Sequence, residues 1–169
     1  MISNNTQNTF AIKVYKEYFN FAASHFMIFK NGSREPLHGH NYRLSLKGNA
    51  IALDGDMVFD FLDIKPLVRN ACDALDHKLL LPEKNNHLKI QNNNKNTEIT
   101  TPDGSFFSIP TTDVLLLPIE NTSSERIAIY LAHDIRNRVF KKFQFEFESL
   151  EVELEETRGQ SAVFILKKE

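Results

Sequence analysis

The chain has 169 residues, 41% of them hydrophobic, which suffices for one well-buried core and is short for two domains. Twenty basic residues balance 22 acidic ones, and no basic run exceeds Lys141-Lys142 or Lys167-Lys168, so nucleic-acid binding is not expected. The single cysteine, Cys72, excludes an intrachain disulfide framework and fits a reducing cytoplasm.

The first ten residues, MISNNTQNTF, lack the basic-then-apolar character of a leader. Nowhere do about 18 apolar residues run together, so no membrane span is expected. Phe10, Ile12 and Val14 share one parity, whereas Phe19, Phe21 and Ala23 continue on the other. That switch predicts one long strand with a bulge between Tyr15 and Tyr18. After a loop containing Asn31-Gly32-Ser33, the segment from His40 to Leu53 alternates through Tyr42, Leu44 and Leu46 and reads as the antiparallel partner. Asp63 is the expected N-cap of a helix whose apolar positions are Ile64, Leu67, Val68, Ala71, Cys72 and Leu75, with Pro66 tolerated in its first turn. Its expected end is near Asp76-His77. An inserted hairpin, 83–109, is expected to decorate the fold, with strands His87–Gln91 and Thr97–Ile109 and a polar tip at 92–96. Thr122-Ser123-Ser124-Glu125 matches a capping box for a second helix through Ile127, Ala128, Leu131, Ile135 and Val139. Two final strands, Phe145–Glu155 and Ala162–Lys168, turn through Thr157-Arg158-Gly159-Gln160. This order is α+β with an antiparallel sheet and both helices on one face. The uncovered edges and second face need a partner or a closed barrel, and oligomerisation is expected.

Four groups of residues carry chemistry. In His38-Gly39-His40, strand alternation aims both imidazoles to one face, and His25, near the end of the preceding strand, can reach the same point. Three nitrogen ligands with an open fourth position describe a catalytic zinc, although a chance spacing in a polar loop gives the same letters. Asp76-His77 sets a carboxylate beside an imidazole, as a proton relay requires, yet a histidine at a helix end is also favoured by the dipole. Glu156 shares the inward parity of Leu150, Val152 and Leu154, so it either lies just past the strand or anchors a ligand with paired N–H donors. Glu35, three residues before His38, can serve as a base or be an ordinary loop glutamate.

Together these segments resemble the 6-pyruvoyltetrahydropterin synthase family. The resemblance rests on Phe21-Ala22-Ala23-Ser24-His25-Phe26, Leu37-His38-Gly39-His40-Asn41-Tyr42, Asp60-Phe61, Leu75-Asp76-His77, Ser124-Glu125-Arg126-Ile127-Ala128 and Glu156-Thr157. It implies a tunnelling fold, a four-stranded antiparallel sheet with two helices, assembled into trimers or hexamers with active sites between subunits. It implies Zn2+ on His25, His38 and His40, a relay by Asp76 and His77, and a grip on the pterin by Glu156. Ser123, Ser124 and Glu125 would line the pterin pocket, and Arg34 is a candidate cation for a substrate triphosphate. The family's usual catalytic cysteine is missing from the loop 31–37, which resembles the branch where glutamate, here Glu35, replaces it. That branch implies cleavage of 7,8-dihydroneopterin triphosphate to 6-hydroxymethyl-7,8-dihydropterin for folate synthesis. The alternatives are a 6-carboxytetrahydropterin synthase of the queuosine route, a true 6-pyruvoyltetrahydropterin synthase, or a non-catalytic pterin- and metal-binding protein.

Overall fold

A computed structural model describes residues 9–168, so most of the N-terminal segment considered for a leader lies outside the described residues. Strands β1 (Phe10–His25) and β2 (His38–Ala50) pair antiparallel, with the register broken between Tyr15 and Asn20. The break lets Ile12 and Val14 face the core before it and Phe19, Phe21, Ala23 and His25 after it, as the parity switch predicts. Burying each such Phe is worth about 1.5–3 kcal/mol. Helix α1 (Phe61–Asp73) follows, then strand β3 (Lys78–Pro82).

Three short strands, β4 (Lys89–Asn92), β5 (Asn96–Thr100) and β6 (Phe106–Pro110), form a separate antiparallel sheet. Strand β7 (Val114–Leu117), helix α2 (Ser124–Phe143), and strands β8 (Ser149–Thr157) and β9 (Gln160–Lys167) complete the order. The main sheet runs β7-β3-β1-β2-β8-β9, so the antiparallel four expected from the sequence are flanked by two parallel strands. Strand β3 escapes a period-two search because it is buried on both faces, and β7 is an apolar run of only four residues. Leu80 joins the main core under the helices, while Leu79 and Leu81 join a second core with Phe26, Ile28 and Ile99.

Three local expectations are corrected. Asp60, not Asp63, caps α1, its carboxylate accepting the Leu62 N–H at 2.7 Å. The first turn carries exposed Phe61 and Leu62, which hydrophobic spacing cannot register, and Pro66 falls in the second turn. Ser123, not Thr122, caps α2 by accepting the Arg126 N–H, because the buried Thr122 hydroxyl donates to Phe26 O at 2.8 Å. Glu125 therefore has no capping-box partner position. The insert is a three-stranded meander, Pro102-Asp103-Gly104 forming the turn that divides its second arm, and it is packed on the second core rather than hung from the surface.

Candidate metal centre and substrate site

Pairing of β1 with β2 sets His25 opposite His38 and Ala23 opposite His40, which brings three imidazoles to one face. One nitrogen from each ring lies within 4.8 Å of the others. Gly39 permits this approach, since a Cβ there would stand 2.9 Å from the Ala23 carbonyl oxygen.

Each ring has one nitrogen engaged. His25 Nδ1 lies 2.9 Å from Thr122 O, His38 Nδ1 lies 2.9 Å from Pro36 O, and His40 Nδ1 lies 3.3 Å from the Thr157 hydroxyl. Bonds from Nδ1–H to the two carbonyls leave the Nε2 lone pairs of His25 and His38 for a ligand, as outer-shell partners of metal-bound histidines do. Burial holds the His25 pKa below the usual imidazole range, with the neighbouring imidazoles adding to the effect and the Thr122 carbonyl and Glu156 opposing it. The ring is therefore neutral near pH 7, the form that coordinates a metal. His25 Nε2 is buried and makes no hydrogen bond, although Glu156 Oε1 stands 3.5 Å away. A buried nitrogen with no hydrogen-bonded partner, beside two more imidazoles, fits a metal ion.

Glu156 reaches this point from β8, its Oε1 also 3.5 Å from His40 Nε2 and accepting the Tyr42 hydroxyl at 3.3 Å. Tyr42 is fully buried, stacked on Phe21 with ring centroids 4.9 Å apart. Its inward parity with His38 and His40 was legible, but its bond to a strand over a hundred residues away was not. Thr122 was likewise missed as the partner that orients His25, because a hydroxyl before a helix reads first as a cap.

Glu35 lies in a short hairpin, its N–H donating to Met27 O at 2.9 Å and its Oε2 accepting the Met27 N–H at 3.2 Å. Asp76 and His77 pair at 2.9 Å, Asp76 Oδ1 accepts the Ala22 N–H at 2.7 Å, and His77 takes a left-handed backbone at φ 55°. Burial alone would raise the Asp76 pKa, but the Ala22 N–H and His77 outweigh it and hold it low. The His77 ring is 83% exposed and opens on a cavity of about 460 Å³ lined by Ala22, Ser24, Gly39, His40 and Asn41. Ala22, Ser24, Gly39 and Asn41 have the parity opposite to the three clustered histidines, while His40, one of the three, lines the same cavity as His77. At the start of α2, Ser123 is a cap, Glu125 is exposed, and the Ser124 hydroxyl is buried without a partner. Arg34 is not free for a phosphate, because its guanidinium faces Asp103 of the insert at 3.4 Å.

Residues 13–165 match the sequence pattern of the family described as 6-pyruvoyl tetrahydropterin synthase. The chain belongs to that family. It is 35% identical over 85% of its length to a Methanocaldococcus jannaschii protein provisionally named 6-carboxy-5,6,7,8-tetrahydropterin synthase, covering 88% of that protein. The fold matches the crystal structure of 6-pyruvoyl tetrahydropterin synthase from Plasmodium vivax with a TM-score of 0.88 and 32% identity, over 95% of this chain and 99% of that one. Two further structures of the Plasmodium vivax enzyme carry a glutamate, described as a catalytic residue, replaced by alanine and by cysteine. The Plasmodium falciparum enzyme matches with a TM-score of 0.83, 32% identity and the same coverage. The tunnelling fold of the family is thus present, with helices α1 and α2 against a mixed sheet. As a member of the 6-pyruvoyl tetrahydropterin synthase family the chain is an enzyme of pterin synthesis, and its three histidines form a cluster able to hold a metal ion.

Proposed function

We propose that this protein is a zinc-dependent lyase that cleaves 7,8-dihydroneopterin triphosphate to 6-hydroxymethyl-7,8-dihydropterin, supplying folate synthesis. The observation that carries the reading is the His-Gly-His hairpin, which offers Glu35 where the family's cysteine is expected. The chain's cysteine cannot substitute, since Cys72 is fully buried in α1 and burial pushes its thiol up to about 12. A catalytic glutamate described for the Plasmodium vivax relative supports the same assignment.

Zinc on His25, His38 and His40 would supply Lewis acidity toward the side-chain hydroxyls of the substrate. Glu156, steadied by Tyr42, grips the amino-pyrimidinone edge with paired acceptor oxygens, and the start of α2, with the unpaired Ser124 hydroxyl, adds polar contacts. Glu35 accepts the proton of the hydroxyl on the second side-chain carbon. The bond between the first two carbons then breaks, its electron pair passing to the first carbon and the pterin ring, and a proton returns to that carbon. The second product is a two-carbon aldehyde bearing the triphosphate, and no oxidant or reductant is consumed. A carboxylate is a weaker base than a thiolate toward a carbon-bound proton, which disfavours the internal redox steps that make a 6-pyruvoyl group.

Asp76 and His77 act as the proton relay of an active site that lies between subunits, the exposed His77 ring opening on the cavity that His40 also lines. The outer strand β9, with Val163 and Ile165 both more than half exposed, offers an edge for that assembly into trimers or hexamers.

The 35% identity to a protein provisionally named 6-carboxy-5,6,7,8-tetrahydropterin synthase favours a second reading, the queuosine-route reaction. Incubating the zinc-loaded protein with 7,8-dihydroneopterin triphosphate and identifying products by mass spectrometry separates the two. Glu35-dependent 6-hydroxymethyl-7,8-dihydropterin, absent with Glu35→Ala, is the expected result. A 6-carboxy or 6-pyruvoyl product at high turnover would move the enzyme to the cysteine-type reactions, and no product would leave a pterin-binding protein.

A further inference from the structure

Arg34 is an unusual guanidinium. Its side chain is only 17% exposed, and its central carbon lies 5.8 Å from the centroid of Phe26 and 5.3 Å from that of Phe107, two rings that are nearly parallel at 5.7 Å. One of those rings belongs to the segment leading into the Glu35 hairpin and the other to β6 of the insert. Its NH1 group donates to Glu35 O at 2.9 Å, and its NH2 group reaches the Ser105 hydroxyl at 3.5 Å. Nε is buried and makes no hydrogen bond of good geometry, so the Asp103 carboxylate at 3.4 Å compensates it as an ion pair. Asp103 stays ionised, because the Thr101 hydroxyl and the Ser105 N–H hold its carboxyl down to about 2, with Arg34 a lesser contributor.

The same hairpin is fastened elsewhere by Asn121, whose side chain accepts the Ile28 N–H at 3.2 Å and donates to Ile28 O at 2.8 Å. Arg34 and Ile28 face each other across the hairpin as a bridge pair. The hairpin is therefore held from two sides, by the segment before α2 and by the insert. Its tip at Asn31-Gly32-Ser33 is exposed, or nearly so, and is closed by local bonds, those between Asn31 and Ser33 and the backbone bonds of Gly32 and Ser33 with Phe29.

We infer that Arg34, packed against the stacked pair Phe26 and Phe107 and paired with Asp103, is a positioning residue through which the three-stranded insert sets the carboxylate of Glu35. The insert is then part of the catalytic apparatus, although none of its residues touches the reacting atoms. This rests on Glu35 being the proton acceptor. A planar fork suits the role because it packs against two rings while bonding a carbonyl and facing a carboxylate, which a lysine cannot do together. Misplacing a reacting group by about 1 Å costs up to about 10²-fold in rate.

The test is a mutant cycle on the zinc-loaded protein, with turnover of 7,8-dihydroneopterin triphosphate and hydrogen exchange at the Met27 and Glu35 amides as readouts. Arg34→Ala should lower kcat about 10-fold or more, with KM and bound zinc unchanged, and should speed exchange at both amides. Asp103→Asn, which leaves the packing of Arg34 against the two rings intact and so guards against misfolding, should shift both readouts in the same direction by less. Arg34→Lys should behave more like Arg34→Ala than like the parent. In a Glu35→Gln background, Arg34→Ala should change kcat by less than about twofold, because a lost intermediary cannot be misplaced again. An equal loss in both backgrounds would show a merely structural role and overturn the inference, as would unchanged exchange at Met27 and Glu35. Full turnover by Glu35→Gln alone would sink the Glu35 reading instead, while exchange would still decide whether Arg34 holds the hairpin.

Discussion

Replacing Gly39 by alanine probes the metal site without touching a ligand. The added Cβ would meet Ala23 O at 2.9 Å and Ser24 Cα at 3.4 Å, both backbone atoms of the paired strand. Neither can swing aside, so β1 and β2 must separate by several tenths of an ångström between the pairs Ala23–His40 and His25–His38. Forcing extra volume into a packed site costs about 1–3 kcal/mol. For a chain of this size that lowers the midpoint of thermal unfolding by roughly 2–4 °C per kcal/mol. The same separation pulls His25 away from His38 and His40, so the variant should also bind zinc more weakly, with the gap in melting temperature wider for the zinc-loaded than for the metal-free protein. Thermal unfolding of both forms, with zinc competition against a chelator, measures the two effects separately. Gly32→Ala is the control, because a Cβ there meets nothing within 4 Å and only the backbone at φ 83° is strained. A Gly39→Ala protein with parental zinc affinity and equal melting shifts in both forms would refute the close-approach argument.

His38→Ala should abolish metal binding and turnover together, since it removes one of three ligand imidazoles; stoichiometric zinc in the variant, read by elemental analysis, would discard the ligand set. Cys72 should resist an aromatic disulfide reagent at pH 8 in the folded protein and react at once on unfolding. Because the folded thiol pKa lies above its unfolded value of 9.0, its stabilising share is complete below about pH 9 and is lost as pH rises toward about 12. Asp76 works in the opposite direction. Its depressed folded pKa contributes stability above the ordinary carboxyl value of 3.8 that is lost as pH falls below it, so Asp76→Asn should flatten the acid limb of a stability-against-pH curve. An unchanged acid limb would remove Asp76 from that role.

The hairpin of β1 and β2, its bulge and the convergence of His25, His38 and His40 were legible because period-two alternation is a local property, with one face turned to the core. The inward setting of Glu156 followed from the same rule. Strands β3 and β7 were not legible, since an apolar run such as Leu79-Leu80-Leu81 carries no period when both faces are buried. The start of α1 was misplaced because its first turn is capped by Asp60 while its side chains face outward.

By itself the sequence determined the family, the strand pair, the three histidines that converge and the presence of Glu35 in a loop without cysteine, all of them residue types at short spacings. Only the tertiary structure decided which partner orients each imidazole, that His77 opens on the cavity that His40 lines, and that the insert grips Arg34. Apart from the bond of His38 to Pro36, those relations join residues distant in sequence, up to 117 positions for His40 and Thr157. Such contacts are set by how strands stack and which polar atoms burial leaves in need of a partner, and no local pattern encodes that need.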